Sequence, residues 1–202
     1  MKVADKIKCT GFSCPDVDKK GFILPLSNID AGKIKLLMIT EAPPPDKVDY
    51  FYTPGNPFYL ETTLKAFKEA GENVASIQEI LDLGVYITTA IKCPKAALNV
   101  SLKTENNCAT LLEKEIALFP DVKSFFLGGD VAIRIMNIIW KKQTGKKVIP
   151  AGPTYKVRRQ EHFLGDIRVF PSYTPAGKNL LIEKGKMGVI AADLKEALKY
   201  TR

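Results

Sequence analysis

The sequence predicts an α/β fold, a three-layer α/β/α sandwich with a central four-stranded parallel sheet. Two observations carry this. Four short, continuously apolar runs fall at 34–40, 85–93, 122–129 and 167–173, as expected of strands buried on both faces. Segments of helical period alternate with them, which is the pattern of a parallel sheet covered on each side by helices. There is no internal repeat, low-complexity tract or linker. The whole chain, 1–202, therefore reads as one domain, a size ample for its own core.

Residues 1–33 read as an irregular arm, rich in turn formers and without a helical period. The first strand ends in Glu-Ala-Pro-Pro-Pro-Asp, where three prolines forbid both helix and strand. The loop 43–57 that follows is long and carries Tyr50, Phe51 and Tyr52. Unstructured loops of that length are often functional. A helix is predicted over 58–71, with Leu60, Leu64 and Phe67 on one face and Gly71 as its C-cap. Ser76 can N-cap a short helix ending at Gly84. The second strand runs directly into Cys93. An amphipathic helix over 105–118 carries Cys108 and is stopped by Pro120. The third strand ends in Gly128-Gly129, and Asp130 is expected to N-cap a helix over 130–142. The stretch 144–167 is basic and turn-rich and suits a hairpin. After the fourth strand comes the tight loop Thr-Pro-Ala-Gly-Lys-Asn, and a helix over 186–200 closes the chain.

Charged residues at 26% and hydrophobic ones at 46% place the chain among ordinary globular proteins. No apolar run approaches the roughly 20 residues that span a bilayer, and the N-terminus lacks a signal-peptide core. A cytoplasmic location is expected, where thiols stay reduced and free for metal. Thirty basic against 22 acidic residues give a net charge of +8, which favours a polyanionic partner, nucleic acid above all. The same charge also occurs on lysine-rich proteins that bind no nucleic acid. The only histidine, His162, lies in a charged stretch and is expected on an exposed loop or strand edge. Multi-histidine metal sites are excluded.

Cysteine occurs at four positions, Cys9 and Cys14 in the arm and Cys93 and Cys108 in the middle. Four thiolates are the ligand set of one tetrahedral zinc or one cubane iron–sulfur cluster. Four buried cysteines can also be plain core. Against that, Cys9 and Cys14 lie in a polar arm, and Cys14 and Cys93 each precede proline. In open parallel sheets the ligand site lies at the carboxyl ends of the strands. Those ends are here Thr40-Glu41-Ala42-Pro43, Cys93-Pro94, Gly128-Gly129 and Ser172-Tyr173-Thr174-Pro175.

The order of these elements resembles the uracil-DNA glycosylase superfamily in its iron–sulfur branch, family 4 and relatives. A Glu-Ala-Pro turn precedes an aromatic loop and helix. A strand enters Lys-Cys-Pro, and a cysteine-bearing helix follows. A Leu-Gly-Gly strand and a Ser-Tyr-x-Pro turn complete the series. The likeness spans nearly the whole chain. It implies that Cys9, Cys14, Cys93 and Cys108 hold a structural 4Fe-4S cluster near a DNA-binding face, with zinc as the alternative. The first pair, Cys-x4-Cys, is wider than the Cys-x2-Cys expected of that branch.

The resemblance also implies site residues. Excision of a base needs a carboxylate beside a cationic sugar and a surface on which the flipped base can stack. Glu41 and Ala42 match the first motif, and Phe58 matches the base-stacking aromatic, with Tyr50, Phe51 and Tyr52 as further stacking surface. Tyr173 belongs to the last motif. Three positions depart from the family. The base-reading asparagine is replaced by Thr89, the histidine facing the leaving oxygen by Thr174, and the glycine after Glu-Ala-Pro by Pro44. A hydroxyl cannot make the bidentate amide contact to a base edge. Lys156, Arg158 and Arg159, in a tract that also holds Lys146, Lys147 and Arg168, are candidate phosphate contacts. Lys178 and the nearby Leu180 and Leu181 stand where the family inserts a loop into the minor groove. The expected protein is thus a monomeric, DNA-interacting glycosylase with altered base specificity. Alternatively, it is a nucleic-acid-binding module that kept the fold and cluster without the chemistry. A nucleotide-binding flavodoxin-like or Rossmann-like protein is disfavoured, because no Gly-x-Gly-x-x-Gly follows the first strand.

Overall fold

A computed structural model describes residues 1–182 and 184–202. Its centre is a sheet of five strands, β1 (Leu36–Thr40), β2 (Val85–Thr89), β3 (Ser124–Gly128), β4 (His162–Leu164) and β5 (Ile167–Ser172). Their order is β2-β1-β3-β5-β4. The first four in that order are mutually parallel, and β4 pairs antiparallel with β5 at the edge. The sheet therefore has one strand more than the four predicted. The extra one comes from the basic stretch, where Gly165 at φ +58° turns the chain between β4 and β5. With only three residues and a mixed burial pattern, β4 carries too little apolar signal to read from sequence.

The helices are α1 (Val3–Lys6), α2 (Phe58–Glu69), α3 (Ile77–Asp82), α4 (Leu102–Ile116), α5 (Asp130–Thr144), α6 (Thr154–Val157), α7 (Lys178–Ile182) and α8 (Lys184–Leu198). Strand residues alternate between two cores. Leu37, Ile39, Tyr86, Phe125 and Leu127 join residues of α4, α5 and the arm. Leu36, Met38, Ile87 and Phe126 join residues of α2 and α8. Both faces are thus covered, which is why these strands read as unbroken apolar runs. Ser76 caps α3 as expected, its hydroxyl accepting the Glu79 amide at 3.2 Å. Asp130 is the first residue of α5, not its cap. Gly129 holds the cap position at φ +108°. Among the described residues no helix is long and apolar enough to cross a membrane.

The arm is pinned along its length. Ile29 and Met1 exchange backbone hydrogen bonds. Further along, the Ile23 amide donates to the Lys92 carbonyl, the Asp18 amide to Pro94, and the Ala96 amide to Asp16. Gly21 packs so closely on Pro94 that a Cβ would fall 2.4 Å from its Cδ. The arm and the segment after β2 thus run as one antiparallel ribbon.

Candidate functional site

Strand register builds the site. Thr89, Thr40, Gly128 and Ser172 lie side by side in the last row of the parallel strands. The next residues emerge together at the carboxyl edge, and among them are Glu41, Gly129 and Tyr173. A cavity of about 350 Å³ opens there, lined by Glu41, Asp130, Thr154, Tyr155, Tyr173 and Thr174 among others. The Glu41 carboxylate sits at the start of α5. Its Oε1 accepts the Val131 amide at 3.3 Å, and its Oε2 accepts from Lys95 Nζ at 2.9 Å. A helix N-terminus and an ammonium both favour an anion at this point. The Thr174 hydroxyl donates to the Gly128 carbonyl at 2.8 Å, so its proton is already committed.

The remaining expected base-contacting residues do not line this cavity. Thr89 is fully buried, and its hydroxyl has no hydrogen-bond partner. Ala42 is buried, and Phe58 is half-buried at the start of α2, where its amide faces Asp49 Oδ1 at 3.4 Å. The expectation that Tyr50, Phe51 and Tyr52 supply stacking surface is corrected for the first two. They are 2% and 0% exposed and belong to the core on the α2 side. Tyr52 is half-buried, and its hydroxyl donates to the Ile87 carbonyl and accepts the Ile87 amide, occupying the middle of the edge strand β2.

The basic tract does not stay together. Lys156 and Arg159 are exposed beside Thr154 and Tyr155 at the cavity mouth. Arg158 forms a bidentate pair with Asp193 of α8, both side chains largely buried, so its charge is internally balanced. Lys146 and Lys147 follow α5, which runs some 22 Å back from the site at about 1.5 Å per residue. Arg168 starts β5 at the same far end and stacks against Phe163 and Phe170. Lys178 is exposed at the start of α7, and Leu180 is buried in the cavity wall. The Leu181 side chain lies outside what is described. His162 is on the edge strand but is buried, its Nε2 2.8 Å from the Val157 carbonyl, and not exposed as expected.

The four cysteines border one space. Cys9, Cys14, Cys93 and Cys108 all line one cavity of about 410 Å³, walled by Ile7, Phe12, Phe22 and Leu111. Asn107 Nδ2 donates to Cys14 Sγ at 3.4 Å. Burial and the neighbouring thiols push Cys93 up to about 12. Burial also pushes Cys108 up to about 11, opposed by Lys92. Among the described residues, no three His, Cys, Asp or Glu side chains converge tightly enough to hold a single metal ion.

Sequence reasoning missed three groups around these cavities. Lys95 holds Glu41, as above. Lys92 is fully buried, paired with Glu115, and donates to Thr88 Oγ1 and the Thr89 carbonyl. Tyr86 and Thr88 donate to the same Glu115 carboxylate. Asp16 accepts from the Ser101 amide and the Thr104 hydroxyl at the start of α4. Burial opposes its charge, yet these bonds hold its carboxyl below the ordinary value. Only the Lys92–Glu115 pair had a readable signal. Lys92 ends an apolar run, and Glu115 falls on the Cys108-Leu111-Leu112 face of a helix, each where only a buried partner makes sense.

A family model of the Uracil DNA glycosylase superfamily matches residues 26–194. No curated protein sequence matches the chain.

Proposed function

Given that the chain belongs to the uracil DNA glycosylase superfamily, we propose that it hydrolyses the N-glycosidic bond of a damaged or deaminated base in DNA, with a base preference other than the usual uracil readout. Membership supports a DNA glycosylase-type function in general. The observation that carries the finer reading is Glu41, a carboxylate held by a helix N-terminus and an ammonium at the carboxyl edge of the sheet. In the reaction, the bond from C1′ to the base nitrogen breaks and the base leaves with the bonding pair. Water then adds to the cationic sugar, and the proton it loses passes through solvent to the base anion, leaving an abasic sugar and the free base. Glu41 stabilises the cation and orients that water. Tyr173 is a wall of the site, and the half-buried Phe58, outside the cavity at the start of α2, becomes the stacking platform only if a flipped base extends to it. The altered readout is assigned to Thr174, on the cavity wall, and to Thr89, which lies buried in the last strand row outside the cavity and contacts a base only if the site opens. Thr89 has a buried hydroxyl free to give and accept one bond. Thr174 can reach a leaving oxygen only by giving up its bond to Gly128. Lys156, Arg159 and Lys178 are the phosphate contacts.

Cys9, Cys14, Cys93 and Cys108 would hold a 4Fe-4S cluster. Four thiols around one apolar-walled space of about 410 Å³ suit a group larger than an ion. The cluster would supply thiolate–iron cross-links between the arm and α4, and the hydrolysis does not run through it.

The test is excision from single- and double-stranded oligonucleotides bearing uracil, hypoxanthine, xanthine or mismatched thymine, by anaerobically purified protein. Abasic sites are revealed with alkali. One base is expected to be released, and Glu41→Gln to slow release by about 10²–10⁴. Binding without excision of any base would leave the second reading, a DNA-binding module without chemistry.

A further inference from the structure

The ammonium that holds Glu41 has no step of its own in the hydrolysis as described. Lys95 Nζ lies 2.9 Å from Glu41 Oε2, and the two residues are 54 positions apart in the chain. Both side chains are 26% exposed, at the rim and not in free solution. The Lys95 backbone is itself fixed. It pairs with Val17 of the arm, flanked by hydrogen bonds of 2.9 Å from Asp18 to Pro94 and from Ala96 to Asp16. Asp16 is anchored in turn to the first turn of α4. Opposite Lys95, the absence of a side chain at Gly129 leaves the space that Glu41 fills. A Cβ there would fall 2.7 Å from both Cγ and Oε1. The carboxylate is thus boxed between a backbone wall, the Val131 amide and the Lys95 ammonium.

We propose that Lys95 is a positioning residue, locking the rotamer of Glu41 on a scaffold supplied by the cysteine-bearing arm. This rests on the reading of Glu41 as the acting carboxylate. A glutamate has three side-chain torsions, and fixing them in advance removes an ordering cost from the reaction. An exposed ion pair adds little to stability. The consequence of losing Lys95 is therefore kinetic: misplacing a reacting group by about 1 Å costs on the order of a hundredfold.

Two measurements on the full chain test this, with Lys95→Ala and Lys95→Arg. The first is single-turnover excision beside DNA affinity. Lys95→Ala is expected to slow excision about ten- to a hundredfold with affinity unchanged, and Lys95→Arg to recover most of the rate. A loss of affinity that accounts for the whole loss of rate would make Lys95 a phosphate contact and overturn the proposal. The second is hydrogen exchange of the Val131 amide, which donates to Glu41 and needs no activity to report. Lys95→Ala is expected to accelerate it about fivefold, and Lys95→Arg to restore it. Unchanged exchange overturns the proposal whatever the activity. Should the wild type excise no base while Val131 still responds, the excision reading fails and the clamp on Glu41 stands.

Discussion

Gly129 is the tightest residue of the site. Its φ is +108°, and a Cβ would fall 2.6 Å from Thr174 Oγ1 and 2.7 Å from Glu41 Oε1. Both constraints act at once, since an L side chain is strained at that φ and collides with Thr174 and Glu41, the two groups proposed to serve excision. Gly129→Ala is expected to destabilise the fold by about 2 kcal/mol or more and to abolish excision, read by thermal unfolding and the oligonucleotide assay. Thr89 presents the reverse case, a side chain that makes too few bonds. Its buried hydroxyl has no partner, an arrangement that costs stability unless a ligand completes it. If the altered readout lies there, Thr89→Asn restores an amide to the base edge. It is expected to raise uracil excision relative to other bases by about ten- to a hundredfold. A ratio of rates unmoved by the substitution would remove Thr89 from the readout. The threonines were legible as departures because each fills a motif position. Lys95 was not, because nothing local in Cys-Pro-Lys-Ala announces a carboxylate 54 residues earlier.

At the scale of elements, what the sequence revealed followed burial. Strands buried on both faces give continuous apolar runs, and β1, β2, β3 and β5 were each visible in that way. The apolar run predicts a second strand continuing to Cys93, whereas β2 stops at Thr89. Residues 90–93 are equally apolar or buried, but their hydrogen bonds go to Thr40, Glu41 and the arm instead of a strand ladder. Apolar content alone does not distinguish the two. The arm was read as irregular, which is right for its scarcity of regular structure. Its anchoring was invisible, because it is held by long-range backbone pairing and by Asp16 at the head of α4. The same tertiary pairing explains why the basic tract read as one surface and is in fact divided. Arg158 turns inward to Asp193, and Arg168 stacks at the far edge of the sheet.

For the whole molecule, the question is what the four-cysteine cavity contributes to a fold that already has two cores. Sheet, α2, α4, α5 and α8 bury their faces against one another without it. The cavity sits at the seam between arm, post-β2 segment and α4, with one pair of cysteines on the arm and the other on the body. A group bound there cross-links the arm, and the arm pairs with the backbone of Lys95. Its removal should therefore leave the sheet intact and loosen the seam. Anaerobically prepared protein is expected to carry roughly four irons and a matching amount of sulfide, and serine at any one of the four cysteines to lower that content. After chelation, far-UV circular dichroism should change little, while limited proteolysis should begin within residues 1–33 and the Val131 amide should exchange faster. Zinc in place of iron would keep the cross-link but change the ion. A metal-free protein whose arm is fully protected would show that hydrogen bonds alone hold the seam. The path from cysteines to Glu41 would then run through the ribbon of residues 16–18 and 94–96 without any metal.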